Sequence, residues 1–228
     1  MTIAYCFLLA AFLSAIWNWL SIYMEWRVCE RISKPLTMVL LITCALLLPL
    51  TSENQWLGKL FIIGLIFSLF GDVFLMLPHN NTWFLLGLVA FFCGHLAYIF
   101  GLNYYAPPIS SLLMLLAVLI VAFFVVRIIV NGLIKKGERG LIIPVLAYSV
   151  ILVAMLYSGL STILRPEWSI LSSVVCVIGA ALFFVSDSFL SYGMFVAIEK
   201  SRINRIIVMV TYFLAQIGLT MTIATWQV

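Results

Sequence analysis

Apolar positions along this chain run in long unbroken blocks. They show neither the alternation of a half-buried strand nor the single stripe of a surface helix. Eight blocks stand out, at residues 3–24, 35–50, 56–77, 83–105, 109–130, 141–164, 168–195 and 206–226. All but the second are long enough for an α-helix to cross the hydrocarbon core of a bilayer. The second is short, and Pro49 is placed to end or kink it. Backbone groups in lipid must be satisfied within the protein, so spans of this kind are helical. The pattern therefore predicts an all-α integral membrane protein with eight transmembrane helices in a single domain covering residues 1–228.

The breaks between blocks carry an orientation signal. Arg27, Arg31, Lys34, Arg127, Lys135, Lys136, Arg139, Lys200, Arg202 and Arg205 fall in or beside the connections after odd-numbered spans, whereas only Lys59 and Arg165 flank the even ones. Basic residues collect on the cytoplasmic side. This predicts cytoplasmic odd connections and places both termini on the opposite face. Trp26, Trp56, Trp83, Trp168 and Trp226 sit at predicted span ends, as an interfacial belt requires.

Composition agrees with this reading. Of 228 residues, 65% are hydrophobic and 9% charged, far from the balance of a soluble domain. The net charge of +4 resides in short loops and is no nucleic-acid signal. Five scattered cysteines, Cys6, Cys29, Cys44, Cys93 and Cys176, show no ligand spacing, so neither disulfides nor a zinc site is inferred. Residues 1–24 lack a basic leading region and exceed a signal peptide's apolar core, so they read as the first span.

The chain's two aspartates change the picture. Asp72 and Asp187 both lie inside apolar blocks, while all six glutamates fall between them. A carboxylate at membrane depth is costly and marks function by default. The alternative is a structural Asp bonded to a neighbouring helix. Asp72 lies six residues before Pro78, near which its span reaches the cytoplasmic face, about 9 Å. Asp187 is at a similar or slightly greater depth, and His95 is about 18 Å in, so all three are placed to line one cavity. FGDVFL (residues 70–75) aligns with VSDSFL (185–190), and FFCGH (91–95) aligns loosely with YFLAQ (212–216). Two parallel four-helix repeats would produce that match, which is short enough to arise by chance. A neutral carboxylic acid beside an ionised one is the equipment of general acid/base hydrolysis.

Other polar residues surround this pair. Ser68 lies one turn before Asp72, suited to orienting it or to helix packing, and Ser186, Ser188 and Ser191 lie around Asp187. His95 and Tyr98 share a helix face, where a histidine either shuttles protons and positions substrate or satisfies a neighbouring helix. No second intramembrane histidine completes a metal set, and no cofactor is expected. Lys34 begins its span as ordinary cytoplasmic charge or as a phosphate anchor at headgroup level. Asn18 is a buried polar group at similar depth. Tyr148 shares a face with Met155, a stripe that more often packs than binds.

KPLT at 34–37, SLFGDVFLMLP at 68–78, GLVAFFCGHLAYIF at 87–100, YSVILVAM at 148–155 and GAALFFVSDSFL at 179–190 together resemble the signature blocks of the YhhN-like lysoplasmalogenase family. The resemblance covers nearly the whole chain. It implies hydrolysis of the vinyl ether bond of lysoplasmalogens to a fatty aldehyde and glycerophospho-ethanolamine or -choline, with Asp72 and Asp187 catalytic. The implied partners are a lysophospholipid entering from the inner leaflet, water as co-substrate and the surrounding lipids, in a bacterial inner membrane. Lys34, Ser68, His95, Tyr98, Asn18, Tyr148 and Ser186 are the candidate substrate-binding residues. A proton- or cation-coupled transporter is the competing reading, since intramembrane Asp and His also build proton relays. A non-catalytic lipid-binding or assembly protein is the third.

Overall fold

A computed structural model describes residues 2–52, 54–78, 80–199 and 201–226. Glu53 and Lys200, counted above among the loop charges, lie outside the described residues. Among those residues the chain forms eight helices and no strand: α1 (Thr2–Tyr23), α2 (Arg27–Leu47), α3 (Gln55–Met76), α4 (Asn81–Leu102), α5 (Leu112–Lys135), α6 (Ile142–Ser161), α7 (Ile170–Phe195) and α8 (Arg202–Thr225). Short 3-10 turns precede α5 and flank α6. Seven of these segments are long and apolar enough to cross a membrane, and the chain is a multi-pass membrane protein.

Local sequence sets the helix ends. Pro49 and Pro78 push the residues before them out of the helical region. Leu48 and Leu77 accordingly adopt extended backbone, where α2 and α3 stop. Side chains of Asn80, Ser169 and Ser201 accept hydrogen bonds from the first-turn amides of α4, α7 and α8.

The exception among the spans is α2. It begins at Arg27, eight residues before the apolar block that predicted it, because its first turns carry Arg27, Glu30, Arg31 and Lys34. Hydropathy cannot see a helix that starts among charges. Ion pairs hold that polar stretch: Arg205 reaches Glu30 at 2.5 Å, and Arg202 reaches Glu25 at 2.5 Å. Pro35 sits inside α2 and withholds one helical donor. Nearby, Asn18 of α1 bonds the Glu30 carbonyl at 3.2 Å and the Ser33 hydroxyl at 2.9 Å. The other differences are smaller. The α4 helix ends at Leu102, three residues early; α5 continues to Lys135, five residues beyond its apolar block; and α8 starts at Arg202, four residues early.

Three antiparallel pairs, α1/α2, α3/α4 and α7/α8, make the most extensive contacts. The α8 helix also packs on α1, α2 and α3, while α4 crosses to α6. The α5 helix packs on α6 and α7. Small residues allow the closest approaches, as expected where no hydrophobic force drives helices together in lipid. A Cβ at Gly179 would come within 3.0 Å of the Leu219 amide, and one at Gly218 within 3.1 Å of the Gly179 Cα.

At the bundle end opposite the basic connections, the Arg165 side chain is buried at 3% exposure. It donates to the carbonyls of Leu102 and, at 2.9 Å, Tyr105, to Asn103 Oδ1 at 2.9 Å and to Ser161 Oγ at 2.5 Å. Here a cation closes the carbonyl end of α4. Trp168 and Trp226, expected in an interfacial belt, instead stack on each other with ring centroids 4.7 Å apart and are buried.

Gly179→Val should separate α7 from α8 and destabilise the fold by about 1–3 kcal/mol. Gly140→Ala, where a Cβ would meet nothing within 4 Å, should be neutral. Thermal unfolding of both variants in detergent micelles checks the pair.

Candidate active site

Asp72 projects from the last turns of α3 and is 1% exposed. Its Oδ1 lies 3.0 Å from the Lys34 Nζ of α2, and its Oδ2 accepts a hydrogen bond from the Tyr212 hydroxyl of α8 at 2.7 Å. The lysine ammonium also lies 5.9 Å from the centre of the Tyr212 ring. Both carboxylate oxygens thus have partners, from helices on either side.

Asp187, on α7, has a different environment. It is 6% exposed and accepts a hydrogen bond from the Tyr148 hydroxyl of α6. His95 of α4 places Nε2 3.0 Å from that same hydroxyl and 3.5 Å from Asp187 Oδ2. The shorter contact is the hydrogen bond, so Tyr148 bridges the imidazole and the carboxyl. This chain of two bonds can run in either direction. With the proton on the imidazole, His95 donates to Tyr148 and Tyr148 to the carboxylate. With the proton on the carboxyl group, both bonds reverse. His95 Nδ1 is buried without a partner among the described residues, so the tyrosine-side nitrogen is the one equipped for exchange.

Two aromatic rings stand between the clusters. Phe183 packs edge-on against His95, with centroids 4.6 Å apart, and against Tyr212 at 5.7 Å. Phe91 packs edge-on against Tyr212 at 6.1 Å. Phe91 can lie this close to α3 only because residue 71 is glycine: a Cβ there would fall 2.6 Å from the ring.

A cavity opens beside the Asp187 cluster, bounded by α4, α5, α6 and α7 with Leu75 of α3. Its volume is about 50 Å³, and it is open on one side. The wall is mostly apolar, and Tyr148, Ser149, Asp187, Ser188 and Ser191 supply its polar groups. Along α7 the lining runs from Phe184 to Phe195, so the cavity extends from the depth of Asp187 to the basic end of the bundle.

The structure therefore brings Asp187 and Tyr148 to the cavity, with His95 directly behind them. The expectation that Asp72, Asp187 and His95 all line one cavity is corrected, because Asp72 and Lys34 lie outside this lining, on the far side of Phe91 and Phe183. Asp72 is also shallower, four residues from the end of α3 against eight for Asp187 in α7. That is about 6 Å against 12 Å. Ser68 faces Gly94 of α4 rather than Asp72, Ser186 bonds the Val208 carbonyl of α8 at 3.1 Å, and Asn18 joins α1 to α2. Tyr98 donates to Gln216 Oε1 at 2.8 Å, joining α4 to α8. Tyr212, Phe91 and Phe183 are the residues the sequence reading missed. Tyr212 opens the YFLAQ block already aligned with FFCGH, and its place one turn before Gln216 was the available signal.

An eight-helix membrane protein with a buried carboxyl–tyrosine–histidine chain beside a mostly apolar, open cavity is the class these features define. The profile of the YhhN family matches residues 29–223, and the chain belongs to that family. Among curated relatives it is similar to Lysoplasmalogenase TMEM86B of Homo sapiens, 28% identical over 159 residues, covering 70% of this chain and 61% of the relative. It is also similar to the Lysoplasmalogenase of Mycobacterium bovis, 30% identical over 162 residues, covering 69% and 57% respectively. The match thus spans about three fifths of the length of these relatives. No solved structure matches the chain.

Removing one member of the Lys34–Asp72 pair leaves the other buried and uncompensated. Lys34→Met should destabilise the protein by about 3 kcal/mol. Adding Asp72→Asn to it should recover much of the loss, as read by the unfolding midpoint of the single and double variants.

Proposed function

We propose that this chain is a membrane hydrolase that cleaves the vinyl ether bond of lysoplasmalogens. The products are a fatty aldehyde and glycerophospho-ethanolamine or -choline. The relatives' names point to this reaction, and the Tyr148 bridge between Asp187 and His95 on the cavity wall carries the reading.

The chemistry needs a proton donor that then becomes an anion. The carboxyl group of Asp187 protonates the β-carbon of the vinyl ether, leaving an oxocarbenium ion on the ether side. The new carboxylate stabilises that cation. Water adds to the cationic carbon and loses its proton to Asp187, or through Tyr148 to His95. The hemiacetal then collapses to aldehyde and alcohol. Asp72 is the second carboxylate of the pair in this reading, and it stands across the Phe91 and Phe183 rings from the cavity.

The same reading sets the wider picture. The whole chain acts as one transmembrane domain in a bacterial inner membrane, with the basic end in the cytoplasm, both termini outside and substrate arriving from the inner leaflet. Two parallel four-helix repeats are supported by pairs at matching positions. Lys34 meets Asp72 across α2/α3, and Tyr148 meets Asp187 across α6/α7. Residues 34 and 148 are offset by nearly the same interval as residues 72 and 187. The transporter reading finds less support, since the buried Tyr98–Gln216 bond and the Arg165 cluster fill the bundle beyond the cavity.

Purified protein should release fatty aldehyde from lysoplasmenylethanolamine, detected by mass spectrometry. Asp187→Asn should lose turnover by about 10³-fold or more while eluting as the wild type does, and Asp72→Asn combined with Lys34→Met, which removes both charges of the buried pair, should lose turnover too. Full activity in the Asp187 variant rejects the mechanism.

A further inference from the structure

The cavity has a reactive carboxyl at one end, but the lysine expected to hold the substrate's phosphate is elsewhere. Lys34 is engaged by Asp72 and does not line the cavity. A phosphate at the basic end of the cavity would instead meet the last turn of α7. Helix ends of this kind present unpaired carbonyls and repel anions.

The Lys136 ammonium offsets that repulsion. Lys136, at the end of α5, donates to the carbonyls of Met194 at 3.0 Å and Ala197 at 2.9 Å. Met194 and its neighbour Phe195 line the basic end of the cavity. Gly132 makes this placement possible: a Cβ there would come within 2.5 Å of the Phe195 carbonyl, so only glycine lets the end of α5 close on the end of α7. An ammonium has three donors, and the two carbonyls use two. The side chain is exposed, leaving the third donor free for a ligand. Asp187 and Met194 are seven residues apart, about 10 Å along α7. The glycerol backbone of a lysophospholipid and the lysine stem together cover that span.

We infer that Lys136, which stands outside the lining but bonds the lining residue Met194, is the phosphate anchor at the cavity's basic end: it turns the carbonyl end of α7 into a cationic rim and sets the reach from a phosphate to Asp187. This inference rests on the lysophospholipid reading above, and a binding experiment separates the two. The probes are 1-O-hexadecyl-lysophosphatidylethanolamine, a saturated ether that cannot undergo vinyl ether cleavage, and 1-O-hexadecylglycerol, which lacks the phosphate. Affinities are measured by calorimetry on the purified full chain in detergent.

The expected result is that Lys136→Gln weakens binding of the phospholipid tenfold or more and leaves the alkylglycerol unchanged. Lys136→Arg should keep most of the phospholipid affinity. In the wild type, added salt should weaken the phospholipid and spare the alkylglycerol. Equal loss for both probes in Lys136→Gln would make the lysine a cap on α7 alone and overturn the inference. So would no loss for either, or salt-independent phospholipid binding by the wild type. If the phospholipid binds through Lys136 but no aldehyde is ever released, the anchor stands and the hydrolase proposal fails.

Discussion

A carboxyl group buried at membrane depth must take its hydrogen-bond donors largely from the protein, and this chain has to meet that demand twice. Unpartnered, such a group is costly to bury. Asp72 takes Lys34 from α2 and Tyr212 from α8; Asp187 takes Tyr148 from α6, with His95 of α4 behind it. These bonds join α2, α3 and α8 into one group and α4, α6 and α7 into another. The helices they leave out, α1 and α5, lie outside both polar clusters. The α5 helix, held by apolar contact with α6 and α7, forms the wall of the cavity.

The two sites solve the same problem with different chemistry. Asp72 is matched by an ammonium and a phenol, an arrangement that fixes charge and geometry. Asp187 is matched by a tyrosine and a histidine, groups that can each give or take a proton without moving a heavy atom. Only the second sits on the cavity, beside its mostly apolar wall. The Phe91 and Phe183 rings keep the two apart, and Gly71 beside Asp72 decides where the Phe91 ring rests. The GD pair at 71–72 therefore serves two purposes in adjacent residues: one supplies the carboxylate, the other makes room for the ring that screens it.

Much of this was legible in the sequence, for identifiable reasons. Seven spans could be read because an apolar block of that length has one solution in a bilayer. The Asp residues stood out because the chain's other acids avoid the spans. The true start of α2 was hidden because Arg27, Glu30, Arg31 and Lys34 look like a loop until Arg205 is seen to neutralise Glu30. Tyr212 was hidden because it lies 140 residues from Asp72, and its place one turn before Gln216 does not say which carboxylate it meets. The separation of the two aspartates was equally out of reach: depth along a helix follows from counting residues, but which side of Phe91 a carboxyl occupies does not. Lys34 reads in the sequence as ordinary cytoplasmic charge or as a phosphate anchor, and its partner in the fold is the Asp72 carboxylate of the next helix, α3.

The central claim is that the Asp187 cluster delivers a proton to carbon. The most direct test runs the hydrolysis of a lysoplasmalogen in heavy water, reduces the aldehyde to its alcohol as it forms, and locates deuterium by mass spectrometry. Protonation of the β-carbon predicts one deuterium on the carbon next to the former carbonyl, with its incorporation and turnover lost together in Asp187→Asn. Aldehyde formed without deuterium at that carbon would contradict the account, whatever the rate of the reaction.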